Sequence, residues 1–145
     1  MSRIRISLPD HFHFSTQIPI RITDLNYGNH VGNDAILSII HEARMQFLKS
    51  LNYTELQFEG VGMIMSDVGI EFKEEAFYGD SIKAEVTVSN ITKVSFDLFY
   101  RLSKTTEKQN VIVAIAKTGM VCYDYGKKKV TAIPEAANKK LLPLA

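Results

Sequence analysis

One segment with helical periodicity stands among several segments of alternating hydrophobicity, and this pattern most limits the fold. From about Asp34 to Leu51, apolar side chains recur every three or four residues and define one face of a helix. These positions are Ile36, Leu37, Ile39, Ile40, Ala43, Phe47, Leu48 and Leu51. Asn33 is the expected N-cap, and Asp34 in the first turn suits the positive end of the helix dipole. The pattern predicts one long amphipathic helix.

The rest of the chain shows the period of β-strands, because apolar and polar residues alternate along it. The alternating stretches are Ile18–Ile22, Val68–Phe72, Ile82–Val88 and Val94–Leu102. The stretch Val111–Tyr123 is apolar on both faces in its first half, which predicts a strand covered on both sides. A short helix is expected from about Pro134 to Leu142. Residues 1–145 are therefore expected to form a single α+β domain, with one helix packed on a largely antiparallel sheet.

Charge and composition exclude two classes of partner. Lysine and arginine number 17 against 16 aspartates and glutamates, so the chain lacks the basic excess that nucleic-acid binding needs. The longest apolar run, residues 111–116, is far shorter than the roughly 20 residues that cross a bilayer. We expect no nucleic-acid partner, no membrane partner and a cytoplasmic protein. The single cysteine, Cys122, forms no internal disulfide and is interpreted as a small core residue.

The polar segment from Thr23 to Asp34 is the most unusual part of the chain. It contains glycine and lies between a predicted strand and the start of the long helix. A helix N-terminus has free N–H groups and partial positive charge, so it can hold an anion or a developing oxyanion. The same residue types also build ordinary strand-to-helix turns, and a purely structural role is the alternative.

Several stretches give the chain a resemblance to a known family. The stretches Asp24–Asn33 (DLNYGNHVGN) and His41–Arg44 (HEAR) resemble the 4-hydroxybenzoyl-CoA thioesterase-like branch of the hotdog-fold thioesterases. Phe72–Asp80, Val94–Phe96 and Ile133–Glu135 fit the same family pattern. The resemblance implies a hotdog fold, in which an antiparallel sheet wraps around one long central helix. It also implies homodimers or homotetramers with active sites at the subunit interface, and hydrolysis of an acyl-CoA or acyl-carrier thioester.

Thioester hydrolysis needs few catalytic groups. A thiol has a pKa near 8.5, so the thiolate leaves without much help from an acid. The site must polarise the carbonyl, which N–H groups near Gly32 and Asn33 are expected to do. It must also activate a nucleophile, and a carboxylate is expected to do this as general base or as the nucleophile itself. We expect no cofactor, and the histidines show no metal-ligand spacing.

The catalytic candidates are Asp24, His30 and Glu42. In the residue-by-residue match, Asn26 stands where many relatives carry a catalytic aspartate, and an amide neither accepts a proton nor attacks as a carboxylate does. Asp24 is the candidate base or nucleophile, with a turn-stabilising role as the alternative. His30 is expected to orient a carboxylate or the substrate, or else to bond to backbone as a buried histidine. Glu42 is expected to be partly buried, or to pair with an arginine such as Arg44.

Seven residues of the polar segment are the predicted substrate-binding residues: Asn26, Tyr27, Gly28, Asn29, Val31, Gly32 and Asn33. The asparagines are expected to orient or cap rather than react, and Tyr27 to line the acyl pocket or to pack. Asn26 keeps open a second function, non-catalytic binding of an acyl thioester. A hotdog enoyl-thioester hydratase is less favoured, because the Asp-x-Asn-Pro-x-His pattern of such enzymes lacks its proline here and His30 lies one residue farther on.

Overall fold

A computed structural model describes residues 2–107 and 109–145. The strands are β1 (Phe14–Pro19), β2 (Gly62–Phe72), β3 (Ser81–Ser89), β4 (Ser95–Thr105), β5 (Asn110–Asp124) and β6 (Lys129–Val130). The helices are α1 (Asn33–Ser50) and α2 (Glu135–Leu141), with short 3-10 helices at Ile22–Asp24 and Leu142–Leu144. The prediction of an α+β fold with one long helix and a short C-terminal helix is confirmed.

The sheet is antiparallel throughout, in the order β1-β3-β4-β5-β2, and β6 pairs with the end of β5. Strands β1 and β2 are therefore its two edges. β5 lies between β4 and β2, as its apolar first half predicted. Part of the N-terminal segment lies against β2, where the N–H of Ile6 donates to the Glu71 carboxylate at 2.7 Å. This hydrogen bond holds the pKa of Glu71 below its ordinary value.

The core lies between α1 and one face of the sheet. The buried side chains of α1 include Ile36, Ile39, Ile40, Ala43, Phe47 and Leu48, and they belong to one cluster with the inward residues of the strands. Cys122 is in this cluster and fully buried, so its interpretation as a core residue is confirmed. Close packing of apolar side chains on one helix stripe and one sheet face supplies most of the stability of such a layer.

Two predicted boundaries at the polar segment are wrong. Gly32 is the N-cap of α1 and Asn33 its first residue, because the Gly32 N–H donates to the Asp24 carbonyl at 3.1 Å and fixes the chain there. The first strand ends at Pro19, and Ile22 lies in the 3-10 turn with its side chain 67% exposed. The turn forms because the Asp24 carboxylate accepts the Arg21 N–H at 2.8 Å.

A buried polar network joins α1 to the sheet. Arg44 is 5% exposed, and its Nη1 donates to the Tyr100 hydroxyl at 3.3 Å. The same hydroxyl lies 2.7 Å from the Thr118 hydroxyl, and burial raises the pKa of Tyr100. Glu55 lies 3.7 Å from the Arg44 Nε and 2.8 Å from the His41 Nε2. The network therefore links the middle of α1 to β4, β5 and the loop after the helix.

Candidate active site

The loop between β1 and α1 is held in shape by its own backbone. The N–H of Asn26 donates to the His30 carbonyl at 2.9 Å, and the N–H of Asn29 donates to the Asn26 carbonyl at 3.1 Å. Asn29 has a φ of 63°, a left-handed conformation that asparagine tolerates better than most residues. Leu25 and Val31 form an isolated bridge that closes the loop. These bonds present His30 immediately before the start of α1.

The His30 ring is oriented by a backbone carbonyl. Its Nδ1 lies 3.2 Å from the Val31 carbonyl, which can only accept, so Nδ1 carries the proton. In the neutral imidazole, Nε2 then keeps its lone pair and can accept a proton from water. Gly28 gives this ring room, because a Cβ at position 28 would lie 3.3 Å from Nε2. The Asn26 side chain fixes Gly28 by accepting its N–H at 2.8 Å.

A cleft of about 740 Å³ lies beside His30. It is enclosed by the start of α1, the end of β2, the β2–β3 connection (residues 73–80) and the β4–β5 hairpin. Its apolar lining includes Val31, Ile36, Phe72, Ala76 and Val113, and its polar lining includes His30, Asn33 and Lys104. Apolar and polar residues line the cleft in nearly equal numbers, and polar groups that converge beside apolar surface are a usual feature of small-molecule sites.

The first turn of α1 borders this cleft through Val31 and Asn33. No side chain in the described part of the chain caps the helix, whose N-cap is Gly32. The first N–H groups of a helix have no partner within it, and the helix dipole adds partial positive charge. This end of α1 can therefore stabilise negative charge that develops on a carbonyl oxygen in the cleft.

The structure distributes the predicted residues over two places. His30, Val31 and Asn33 line the cleft, whereas Asp24 and Glu42 line a separate groove of about 440 Å³ between β1 and α1. The remaining predicted residues are Asn26, Gly28 and Gly32, which shape the loop, and Asn29 and Tyr27, which are exposed. The Tyr27 side chain is 104% exposed, so it contacts neither the cleft nor the core of its own protomer.

Asp24 and Glu42 have different surroundings within the groove. Asp24 is buried, and its carboxylate binds the Arg21 N–H and lies 3.5 Å from the Arg21 guanidinium. Glu42 is exposed and accepts a hydrogen bond from Gln46 at 2.8 Å, so the expectation that it is partly buried is wrong. The pairing of Glu42 with Arg44 is also wrong, because Arg44 turns into the core.

Several polar residues of the cleft lie far from the loop in sequence. Glu74 and Glu75 come from the β2–β3 connection, and Lys104 comes from β4. They meet the loop only because β2, β3 and β4 bring their ends to the start of α1, which no local pattern indicates. Among residues 2–107 and 109–145, no group of three His, Cys, Asp or Glu side chains is placed to hold a metal ion.

A sequence profile of the Thioesterase-like superfamily matches residues 20–141 of this chain. The chain belongs to the thioesterase-like superfamily. It is also 24% identical over 125 residues to the acyl-CoA thioesterase YbgC of Haemophilus influenzae, a match that covers 84% of this chain and 89% of that protein. Thioester hydrolysis is therefore the reaction that the family supports for this thioesterase-like chain.

Solved structures of thioesterases share the fold. A 1,4-dihydroxy-2-naphthoyl-CoA thioesterase from Synechocystis superposes with a TM-score of 0.80 and 20% identity, covering 90% of this chain and 96% of that one. A 4-hydroxybenzoyl-CoA thioesterase variant in complex with 4-hydroxybenzoyl-CoA superposes with a TM-score of 0.80 and 17% identity. This match covers 88% of this chain and 97% of that one. The expectation of a hotdog fold is confirmed. None of the helices in the described residues has the length and apolar character to cross a membrane.

Proposed function

We propose that this chain is an acyl-CoA thioesterase whose general base is His30. The observation that carries the proposal is the His30 ring, whose Nδ1 is held by the Val31 carbonyl and whose residue lines the cleft. This contact leaves the lone pair on Nε2, which can then accept a proton. The uncapped start of α1 borders the same cleft. A base and an oxyanion-stabilising helix end are the two elements that thioester hydrolysis requires.

In the proposed mechanism, Nε2 of His30 accepts a proton from a water molecule as the water oxygen attacks the thioester carbonyl carbon. The carbonyl π electrons move to the oxygen, and the N–H groups of the first turn of α1 stabilise the resulting oxyanion. When the carbonyl re-forms, the C–S bond breaks and the thiolate leaves. The thiolate needs little protonation to leave because the pKa of a thiol is near 8.5. The thiolate then takes up the proton held on Nε2 of His30, which restores the base. The products are the free acid and the thiol of coenzyme A.

We assign Asp24 and Asn26 supporting roles in this site. The Asp24 carboxylate holds the 3-10 turn through the Arg21 N–H, and its carbonyl anchors the Gly32 N–H. The Asn26 amide holds Gly28 beneath the imidazole. Both residues therefore act through the position of the loop. Glu42 faces the separate groove of its own protomer and takes no part in this mechanism.

The deciding experiment is release of free thiol from a panel of short, long and aromatic acyl-CoA esters, measured with a thiol-reactive dye. We expect turnover of at least one class of ester. A panel without turnover, in which acyl-CoA still binds, would favour the alternative of a non-catalytic acyl-thioester binding protein. Asn26 supports that alternative, because its amide replaces the carboxylate that the family pattern places there.

We also propose that the chain forms homodimers, or pairs of dimers, through the β2 edge. The 11-residue strand β2 has a partner on only one side, and Val68 and Phe72 on its helix-side face are 38% and 49% exposed. A long, apolar, open edge is a template for pairing with another strand. Phe72 also lines the cleft, so a second copy along β2 lies beside the active site. This supports active sites at the subunit interface.

Val68→Lys is expected to convert the dimer to a monomer, because a lysine on the helix-side face of the β2 edge blocks pairing. Light scattering coupled to gel filtration measures the change, and the thiol-release assay reports any loss of activity. Val130→Lys is the matched control, since Val130 is also a half-exposed strand valine but lies in β6. A Val68→Lys protein that keeps the parent's mass would contradict the proposed interface.

The properties of Cys122 support our proposal of a cytoplasmic location. Cys122 is the chain's single cysteine and is fully buried. Burial raises its pKa to about 11, so at neutral pH it stays a protonated thiol and is a poor nucleophile. A fold that depends on no disulfide suits a reducing compartment.

A further inference from the structure

The β2–β3 connection forms one wall of the cleft without belonging to a strand. Ala76 within it is buried, and its carbonyl accepts the Val31 N–H at 2.8 Å. The carbonyl of Asp80, at the end of the connection, accepts the Ile20 N–H at 2.9 Å. The connection therefore holds the chain on both sides of the loop that carries His30.

One ammonium group holds this connection to the sheet. The Lys104 side chain is 12% exposed, and its Nζ donates to the Glu75 carbonyl at 2.8 Å and to the Asp80 carboxylate at 3.0 Å. The same carboxylate accepts the Phe77 N–H at 2.8 Å, and the Phe77 ring centroid lies 5.0 Å from Nζ. Charge-assisted hydrogen bonds are stronger than neutral ones, and low exposure weakens their screening. Lys104 thus fixes the middle and the end of the connection together.

We propose that Lys104 is a positioning residue for thioester hydrolysis, an inference that rests on the proposed function. Lys104 holds Glu75, which places the Ala76 carbonyl on the Val31 N–H. The Val31 carbonyl in turn orients the His30 ring. Loss of the ammonium group lets the connection move, and the movement reaches the imidazole through these two hydrogen bonds. Because misplacement of a base by a fraction of an ångström slows proton transfer, the effect falls on kcat rather than on substrate binding.

Lys104→Met and Asp80→Asn test this role from the two sides of the contact. We expect each to lower kcat by roughly 10- to 100-fold and to change KM by less than about threefold. The double variant should be no slower than the slower single variant, because both substitutions remove the same contact. Lys104→Arg should restore most of the activity, since its guanidinium can donate to the same two acceptors.

Arg101→Met is the matched control. Arg101 lies three residues earlier in β4 and therefore on the opposite face of the sheet. It binds the Glu85 carboxylate at 2.9 Å, which holds the pKa of Glu85 below its ordinary value, and it lies 4.5 Å from the centroid of the Phe12 ring. The Arg101→Met substitution thus removes a comparable cation from the same strand. We expect it to lower the melting temperature while kcat stays within about twofold of the parent.

Two kinetic outcomes would overturn the proposal. A raised KM with unchanged kcat in Lys104→Met would mean that the ammonium binds substrate directly. A lowered melting temperature with unchanged kcat in both Lys104→Met and Asp80→Asn would mean a purely structural role. Hydrogen exchange of the amide of Val31 supplies a readout without turnover, and we expect it to be faster in Lys104→Met than in Arg101→Met. Equal exchange in the two variants would overturn the positioning role. If exchange is faster in Lys104→Met but the parent hydrolyses no thioester, only the proposed function is contradicted.

Discussion

Replacing His30 by alanine is expected to lower kcat/KM for the preferred acyl-CoA by about 10²- to 10⁴-fold, the range that a general base contributes. His30 lines the cleft, and the contact of its Nδ1 with the Val31 carbonyl leaves the lone pair of the ring on Nε2. Without it, attacking water has no positioned base. Release of free thiol from the preferred ester measures the loss.

The controls for His30 come from the same loop and helix. His41→Ala removes an exposed histidine of α1 that contacts Glu55, and we expect it to keep activity within about twofold of the parent. Asp24→Asn and Glu42→Gln test the two carboxylates of the separate groove. An active His30→Ala protein together with an inactive Glu42→Gln or Asp24→Asn protein would place the base on a carboxylate and refute the mechanism.

Arg44→Met is expected to lower the free energy of unfolding by about 3 kcal/mol, because it removes one partner from a buried polar network. The Tyr100 hydroxyl then loses its Arg44 donor, and the Glu55 carboxylate loses the nearby guanidinium. Denaturant unfolding followed by circular dichroism measures the change. Parent and variant must be compared at one protein concentration, since association adds to the apparent stability of an oligomer.

Two further variants distinguish loss of the Arg44 contacts from a general effect of substitutions in α1. Glu42 lies two residues before Arg44, on the exposed face of α1. Glu42→Ala should therefore change the free energy of unfolding by less than about 0.5 kcal/mol. Arg44→Met combined with Glu55→Gln should cost less than the sum of the two single variants, because both substitutions remove the same Arg44–Glu55 contact. A single Arg44→Met variant as stable as the parent would show that the network does not fasten the helix to the sheet.

The sequence predicted most of the secondary structure because side-chain periodicity is local. The helix predicted over 34–51 is observed at Asn33–Ser50. The alternating stretches from Val68 onward lie within strands, except that Val94 falls one residue before β4. Burial was harder to predict at the edge of the sheet. Val68 and Phe72 have the pattern of a half-buried strand, yet both are exposed in the protomer, because α1 covers the middle of the sheet and β2 lies at its edge.

The candidate site was only partly predictable. The loop before α1 was recognisable because its glycines, asparagines and histidine are neighbours in sequence. The separation of Asp24 from His30 was not, because the two side chains leave the loop toward different grooves. The inward turn of Arg44 also lacked a sequence signal, since Tyr100, whose hydroxyl accepts its hydrogen bond, lies on a distant strand.

The sequence by itself determined the order of the strands along the chain, the single long helix and the polar loop at its N-terminus. Each of these depends on residues within a few positions of one another, where turn chemistry and hydrophobic period act directly. Only the tertiary structure decided that Ala76 holds Val31 and that Lys104 holds Asp80. Those contacts depend on strand order and register, which bring distant segments to one end of the helix. The position of His30, the proposed base, is therefore a property of the whole sheet.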